Sequence, residues 1–435
     1  MNVVAGYALP PSNLAPWLER GVGCGIVVLV STEQKTPRPQ SPLQEEPQRL
    51  TLALVGMGKQ GETLAFDQGE PLLVLGGIPG EEVVVEVLKT RRARVAQVVQ
   101  VLKPSPHRVS APCPYYGPCT GCQWQHIAYE HQLELKRQRL QREFDQAPEL
   151  GPVTVLPTLP APEPYHYRNH ARFTIKGGAL GFVNRFTRRF LPVERCLLMH
   201  PWINDALAQL QDRCEETTQV SIRYGENTGE WLIQPRLKRA DIPLATGQSH
   251  YEEALLGNRF RVAGSSFFQV NTRQTERLVE LVVDRLRLSG QEFLVDAYAG
   301  VGTLAILLAP YARRVIAIED AASAVRDAIA NAHGLAQVEF LQAKTEEALG
   351  QLPERPDAVV LDPPRVGCRP EALEALKRLA PPRVVYISCD PEALVRDLRQ
   401  LCPDPYRVEE VQPVDMFPQT HHVEAVATLA LREGS

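Results

Sequence analysis

Long apolar runs are missing from this sequence. The best candidate for a membrane span, residues 21–30 (GVGCGIVVLV), is much shorter than the roughly 18 apolar residues that a transmembrane helix needs. It follows Glu19 and Arg20 and lacks a small-residue cleavage site, which argues against a secretory signal peptide. We therefore expect a cytoplasmic protein with no membrane association. Residues 1–47, with their proline-rich run 36–47, are interpreted as a poorly ordered extension and linker.

Cysteine is too sparse for a disulfide scaffold, since there are nine in 435 residues. Three of them, however, fall within ten residues: Cys113, Cys119 and Cys122. A fourth, Cys196, follows in the string VERCLLMHP. Four thiolates suit either a cubane iron–sulfur cluster or a tetrahedral zinc ion, and the spacing alone does not decide between them.

An overall excess of positive charge is also absent. The net charge is −4, so the total charge does not indicate a nucleic-acid partner. Residues 165–195 are a local exception, because they carry seven arginines and lysines against Glu194, with six aromatic residues interleaved. Basic groups neutralise phosphates and aromatic faces stack on bases. The same pattern fits a β-sheet with aromatic residues in its core and arginines in water, and both interpretations stay open.

Short β-rich runs and glycine turns alternate over residues 48–106. Five predicted strands in fewer than sixty residues favour a small closed barrel. Its strand tips carry basic side chains: Lys89, Arg91, Arg92 and Arg94. This segment resembles the TRAM module, an OB-like barrel that binds RNA.

The pattern changes twice more along the chain. After the cysteine loop, residues 129–146 are predicted to form an amphipathic helix with Leu133, Leu140 and Phe144 on one side. From about residue 265, strand-like and helix-like segments alternate, which predicts a parallel sheet with helices on both faces.

A glycine turn, DAYAGVGT (296–303), follows the first strand of this sheet and precedes a helix. Glycines allow close approach of the backbone to a ligand at the helix N-terminus. The pattern is D-x-x-x-G-x-G and not the three-glycine dinucleotide fingerprint. Glu319 ends the second strand, where an acid can accept hydrogen bonds from ribose hydroxyls. This spacing is similar to that of class I methyltransferases, which bind S-adenosylmethionine.

Two later strands end in candidate catalytic residues. Asp362, in LDPPR, is expected at the ligand-binding edge of the sheet, although it could also be a helix cap. Cys389 ends the strand VVYIS, and the helix beginning near Pro391 is expected to lower the pKa of its thiol. Glu424 could supply a base in the same cleft. A thiolate, a base and a methyl donor together predict alkylation at C5 of a pyrimidine.

Five motifs in this order resemble those of the RNA uracil-5-methyltransferase family. They are SSFFQVN (265–271), DAYAGVGT (296–303), LDPPRVG (361–367), SCDP (388–391) and DMFPQTHHVE (415–424). With the TRAM-like segment and the cysteine loop, the resemblance extends over nearly all of residues 48–435.

The resemblance implies a role for each matching residue. Cys389 is the expected nucleophile, Glu424 the acid/base, and Phe267 an aromatic that stacks in the site of the flipped nucleotide. Expected contacts with S-adenosylmethionine come from Gln269, Tyr298, Glu319 and Asp362. Cys113, Cys119, Cys122 and Cys196 are the ligands of an implied 4Fe–4S cluster. Lys344 stands at a position where the best-known ribosomal-RNA members have a polar amide, so its role is left open.

We therefore expect an α/β fold in four parts: an extension (1–47), an OB-like TRAM barrel (48–106), a central α+β iron–sulfur and RNA-binding domain (107–255), and a Rossmann-like methyltransferase domain (256–435). The helix at 129–146 is expected to pack on the last of these. The predicted reaction is methylation of a uridine in 23S rRNA by a monomer. The alternatives are a transfer-RNA target, cytosine-C5 methylation, and a non-catalytic RNA-binding iron–sulfur redox sensor.

Overall fold

A computed structural model describes residues 48–88, 94–402 and 404–432 of the chain. The interpretation of residues 1–47 and the predicted basic tips at Lys89, Arg91 and Arg92 therefore lie outside the described residues. No helix in these described ranges is both long enough and apolar enough to cross a membrane.

The first sheet has six strands instead of the five predicted. They are β1 (Arg49–Ala53), β2 (Gly56–Met57), β3 (Thr63–Asp67), β4 (Glu70–Leu75), β5 (Glu82–Leu88) and β6 (Val95–Lys103). Alternating residues such as Val83 and Val85 of β5 point into a small apolar core with Leu72 and Val74 of β4. This period of two is typical of strands with one buried face.

The first sheet is hydrogen-bonded in the order β1-β5-β6-β4-β3-β2. The order has β1 and β2 at its two ends, so the strand pairing among the described residues does not close into the predicted barrel. Only two residues separate β1 from β2. One bent segment therefore supplies both edges, pairing with β5 through β1 and with β3 through β2.

Helix α1 spans Tyr129–Asp145 after the cysteine loop. The predicted apolar side is only part of its buried face. Leu135, Leu140 and Phe144 are buried, but so are the polar side chains of Gln132 and Lys136. An apolar period predicts which side of a helix is buried, but it cannot identify polar residues that are buried because they have partners elsewhere in the fold.

The central part contains a five-stranded antiparallel sheet in the order β11-β10-β7-β8-β9 and the helix α2 (Pro201–Leu210). Its strands are β7 (His170–Lys176), β8 (Ala179–Val183), β9 (Phe190–Pro192), β10 (Gln219–Tyr224) and β11 (Trp231–Gln234). Phe173 is fully buried and its ring stacks on Phe182, whereas Arg172 faces solvent. On strand β7 the aromatic residue therefore serves the core, and the basic residue remains available to a partner.

A hairpin of β12 (His250–Leu255) and β13 (Asn258–Ala263) leads into a seven-stranded sheet. The sheet has the order β16-β15-β14-β17-β18-β20-β19. Its strands are β14 (Phe293–Ala297), β15 (Arg314–Glu319), β16 (Val338–Gln342), β17 (Ala358–Leu361), β18 (Arg383–Ser388), β19 (Tyr406–Val414) and β20 (Glu424–Leu431). The first five strands are parallel, and β20 runs antiparallel to both β18 and β19.

Six helices cover this sheet: α3 (Thr272–Leu286), α4 (Thr303–Leu308), α5 (Ala322–Asn331), α6 (Thr345–Ala348), α7 (Pro370–Leu379) and α8 (Pro391–Leu401). Every residue of β14 and β17 is buried, as expected for parallel strands covered on both faces. The strand order reverses between β14 and β17, and ligands bind at such reversals beyond the carboxyl ends of the strands.

Candidate active site

A cleft of about 1210 Å³ opens at the carboxyl ends of the parallel strands. All six residues that the sequence predicted for catalysis and cofactor binding line it: Gln269, Tyr298, Glu319, Asp362, Cys389 and Glu424. They come from six separate segments of the chain. The fold therefore brings together residues that are up to 155 positions apart, from 269 to 424.

The glycine turn between β14 and α4 forms one wall of the cleft. Tyr298, Gly300 and Gly302 all have positive φ angles, of 68°, 56° and 83°. A Cβ atom at Gly302 would lie 3.1 Å from the ring of Phe340, so this position needs glycine for its conformation and for its space. Glu319 faces the turn, and its carboxylate accepts hydrogen bonds from the N–H groups of Gly300 (2.9 Å) and Ala321 (2.8 Å).

Two buried aspartates in the cleft have raised pKa values. Burial raises the pKa of Asp296 to about 7, and the neighbouring charge of Asp362 adds to the rise. Burial also raises the pKa of Asp362 to about 7. One oxygen of Asp296 accepts from the N–H of Ala305 at 2.8 Å, but the other is buried with no hydrogen-bond partner among the described residues. Such a site favours a cation, which would stabilise both carboxylates.

Asp296 was not predicted as a site residue, although the sequence carried the signal. It is the first residue of the D-x-x-x-G-x-G turn. An acid in that position lies at the end of the first strand, next to the glycine backbone, and therefore at the edge where ligands bind.

Cys389 and Glu424 are brought together by strand pairing. Strand β20 pairs antiparallel with β18 so that Ser388 lies opposite Ala425. Cys389 and Glu424 are the next residues beyond this pair, at the edge of the cleft. Because β20 begins at this edge and runs antiparallel to β18, its first residue lies beside the end of β18.

The thiol of Cys389 is not activated in the way that the sequence predicted. Burial raises the pKa of Cys389 to about 11, the charge of Glu424 raises it further, and Arg365 opposes the rise. Helix α8 does begin at Pro391, but the side chain of Asp390 caps it by accepting from the N–H of Ala393 at 2.9 Å. The cap places a carboxylate at the helix end, and its charge also raises the pKa of Cys389.

Glu424 is 5% exposed. Burial holds its pKa well above the usual range, the charge of Asp362 adds to this, and Arg365 opposes it. Arg365 is exposed and lines the cleft, and its positive charge favours the ionised forms of both Cys389 and Glu424. Arg365 was not predicted as a site residue, although it lies within the LDPPR motif.

Two further residues named from the sequence lie at the same cleft. Phe267 is 71% exposed, so its ring is free to meet a partner. Lys344 also lines the cleft and lies 3.5 Å from Glu347 in an exposed ion pair.

A second, separate cavity of about 230 Å³ is lined by the four cysteines of the predicted cluster: Cys113, Cys119, Cys122 and Cys196. Two of their sulfurs accept hydrogen bonds, Cys122 from the amide of Gln125 (3.1 Å) and Cys119 from the N–H of Gly121 (3.4 Å). In the described ranges, however, no three or more histidine, cysteine or acidic side chains have an arrangement that could hold a metal ion.

Comparison with known proteins agrees with this geometry. The family model of tRNA (Uracil-5-)-methyltransferase matches residues 255–352 and 350–432. An uncharacterized RNA methyltransferase of Gloeobacter violaceus is 33% identical over 442 residues, an alignment that covers 88% of this chain and 96% of that protein. The chain belongs to the RNA uracil-5-methyltransferase family. It is an S-adenosylmethionine-dependent RNA (uracil-5-)-methyltransferase.

A second relative also matches nearly the whole of this chain. An uncharacterized RNA methyltransferase of Listeria monocytogenes is 33% identical over 458 residues, covering 91% of this chain and 99% of that one. Among solved structures, the tRNA (uracil-54, C5)-methyltransferase of Pyrococcus abyssi in complex with S-adenosyl-L-homocysteine has a TM-score of 0.71 and 26% identity. The match covers 88% of this chain and 100% of that enzyme.

Proposed function

We propose that this methyltransferase acts on C5 of a specific uridine in RNA through a covalent adduct between Cys389 and C6 of the base. One observation carries the proposal: the pairing of β18 with β20 sets the thiol of Cys389 and the carboxyl of Glu424 at one cleft with Asp362. The C5 carbon of uracil is too weak a nucleophile to attack a methyl sulfonium unaided, and a thiolate attached at C6 makes it enolate-like.

The reaction balances with the residues at the cleft. The thiolate of Cys389 forms a bond to C6, and the C5–C6 π electrons move into the C4 carbonyl as an enolate. C5 then takes the methyl group, which leaves S-adenosylhomocysteine. Glu424 removes the C5 proton, the C5–C6 double bond re-forms, and the thiolate is expelled. The base must leave its stack to reach this cleft, and exposed Phe267 is placed to stack on it.

Asp296 and Asp362 support binding of the cationic cofactor, whose positive charge would stabilise their carboxylates. Glu319 is our proposed acceptor for the ribose hydroxyls. It already accepts two backbone hydrogen bonds at the turn, and a carboxylate has capacity for more. Gln269 and Tyr298, which also line the cleft, complete the proposed cofactor site.

The four cysteines fit an iron–sulfur cluster by their chemistry, because thiolates are its usual ligands and all four line one cavity. Cys113, Cys119, Cys122 and Cys196 would hold a 4Fe–4S cluster, which would supply structural support to the RNA-binding part of the chain. The hydrogen bonds to Cys119 and Cys122 would stabilise the negative charge of the ligand sulfurs.

The RNA-binding parts in this proposal are residues 48–106, as a TRAM-like unit, and residues 107–255. The methyltransferase domain covers 256–435, and the enzyme acts as a monomer in the cytoplasm. We propose 23S rRNA as the substrate, because Arg172 and its basic neighbours add a surface suited to a folded RNA. Transfer RNA is the second candidate, favoured by the similarity to the tRNA (uracil-54, C5)-methyltransferase of Pyrococcus abyssi.

A substrate trap tests the chemistry. RNA transcripts that carry 5-fluorouracil should form a complex with the enzyme that survives denaturation, because fluorine at C5 cannot leave as a proton. Cys389→Ala should form no such complex and should still bind S-adenosylhomocysteine. Cys402→Ala, which removes a buried thiol outside the cleft, is the matched control and should trap RNA normally. A covalent complex with Cys389→Ala would contradict the proposal.

A further inference from the structure

Helix α1 buries two polar side chains on the same face, one turn apart. Gln132 and Lys136 are both 0% exposed. An ammonium or amide group removed from water costs free energy unless it is hydrogen-bonded. Neither residue serves the reaction described above, and both reach towards one segment: the loop of residues 415–423 between β19 and β20.

Lys136 anchors the beginning of this loop. Its ammonium group donates to a carboxylate oxygen of Asp415 at 2.5 Å and to the carbonyl oxygen of Phe417 at 3.1 Å. The other oxygen of Asp415 accepts from the hydroxyl of Tyr129, also on α1, at 2.9 Å. Lys136 and Asp415 have no exposed side-chain surface, so this ion pair is shielded from solvent.

Gln132 anchors the middle of the loop. Its amide donates to the side-chain oxygen of Gln419 at 3.0 Å, and its own oxygen accepts from the backbone N–H of Gln419 at 3.0 Å. Gln419 has a φ of 67°, a left-handed conformation that non-glycine residues adopt only when their surroundings hold them there. The N–H of Trp124, two residues after Cys122, donates to the carbonyl of Gln419 at 3.1 Å.

The loop leads directly to Glu424, which is five residues beyond Gln419 and opens β20. We infer that Gln132 and Lys136 are positioning residues, which fix loop 415–420 so that the carboxyl of Glu424 meets the C5 proton of the bound base. The inference deepens the proposed function and rests on the role of Glu424 given there. A buried ion pair contributes little net stability compared with apolar residues of the same volume, so stability alone is a weak reason for this one.

Lys136→Met tests the inference, because it removes the ammonium group at nearly constant volume. We expect kcat per cofactor-binding site to fall about 10- to 100-fold, the loss that a small misplacement of a catalytic group causes. The KM for S-adenosylmethionine should be unchanged. Covalent protein–RNA adduct should accumulate, because release of the adduct requires Glu424. The adduct is detected on a denaturing gel with normal, unfluorinated transcript. The transcript is 23S RNA or transfer RNA, whichever the wild type methylates.

Arg137→Met is the matched control. It makes the same kind of change at the next residue of α1, where the side chain is partly exposed and pairs only with Glu134 among the described residues. It should retain the wild-type kcat and show no accumulated adduct.

The double variant Lys136→Met, Asp415→Asn separates positioning from stability. Removing one partner leaves a buried charge unpaired, whereas removing both restores much of the lost stability. We expect the melting temperature to recover towards the wild type while adduct still accumulates. Recovery of kcat in step with stability would overturn the inference, as would a fall in kcat of Lys136→Met without adduct.

Failure of the proposed function would look different. If the wild type forms no complex with 5-fluorouracil RNA, the adduct chemistry itself is wrong. If the wild type forms that complex and Glu424→Gln accumulates adduct but Lys136→Met does not, only the positioning role is wrong.

Discussion

At the scale of single residues, burial favours the protonated forms of two aspartates, a glutamate and a thiol in the cleft. Burial raises the pKa of Asp296, Asp362, Cys389 and Glu424 alike. The methyl donor is a cation, and its charge would stabilise each ionised form. Cofactor binding is therefore expected to prepare the nucleophile and the base together.

Cofactor affinity should depend on pH for this reason. The carboxyls of Asp296 and Asp362, with pKa values of about 7, are protonated below that pH and must lose protons to bind a cation. Affinity for S-adenosylmethionine, measured by calorimetry, should rise about tenfold per carboxyl between about pH 6 and pH 8, and level off above about pH 8.

Asp362→Asn provides the comparison for the pH measurement. It removes one titrating group, so affinity should be weaker and its pH dependence shallower. Equal affinity for the wild type at both ends of the pH range would show that these carboxyls do not bind the cation.

Glu424→Gln should separate the steps of the reaction. The amide cannot take the C5 proton, so addition and methyl transfer should occur but release should stop. Protein–RNA adduct that resists denaturation should then build up with normal RNA, visible as a shifted band on a gel. Rapid turnover by Glu424→Gln would assign the base role to another group.

At the scale of elements, the glycine turn is expected to serve the cofactor site through its backbone. Gly302→Ala should weaken binding of S-adenosylhomocysteine, because the new Cβ would meet Phe340 and the φ of 83° is strained for alanine. Gly334→Ala is the matched control. Its φ is 88°, but nothing lies within 4 Å of the added Cβ.

Both glycine variants should lose stability, about 1 kcal/mol from the left-handed backbone alone. Only Gly302→Ala should also lose cofactor affinity, as calorimetry would measure. Equal cofactor affinities for the two variants would show that the turn does not need a close approach at Gly302.

The cysteine loop should hold iron. Protein purified without oxygen should be brown and contain about four irons per chain with acid-labile sulfide. Cys122→Ala should lose the iron, and Cys214→Ala, which removes a buried cysteine outside that cavity, should keep it. Finding stoichiometric zinc and no acid-labile sulfide would show that the four cysteines bind zinc instead of a cluster.

At the scale of the whole molecule, the prediction concerns which of two RNAs is the substrate. Purified enzyme and labelled cofactor are incubated separately with unmodified 23S RNA and unmodified transfer RNA, and we expect label in the 23S RNA. Cys389→Ala should label neither. Label in the transfer RNA alone would reject the ribosomal assignment and keep the chemistry.

Much of the methyltransferase part could be predicted from the sequence, because its information is local. From about residue 265 strands and helices alternate as predicted, with α3 (Thr272–Leu286) and α7 (Pro370–Leu379) among the helices. Apolar strands, a glycine turn and acids at strand ends are adjacent in the chain and specify a parallel sheet with a ligand at its edge. These motifs were enough to indicate the family and the methyl donor.

Other features were decided only in three dimensions. The antiparallel insertion of β20 brings Glu424 to Cys389, and a strand's direction is set by its neighbours, not by its own residues. The pKa of Cys389 is raised, not lowered, because burial and nearby carboxylates outweigh the helix end. The buried contacts of Gln132 and Lys136 join positions more than 270 residues apart, so the periodicity of α1 could not reveal their partners.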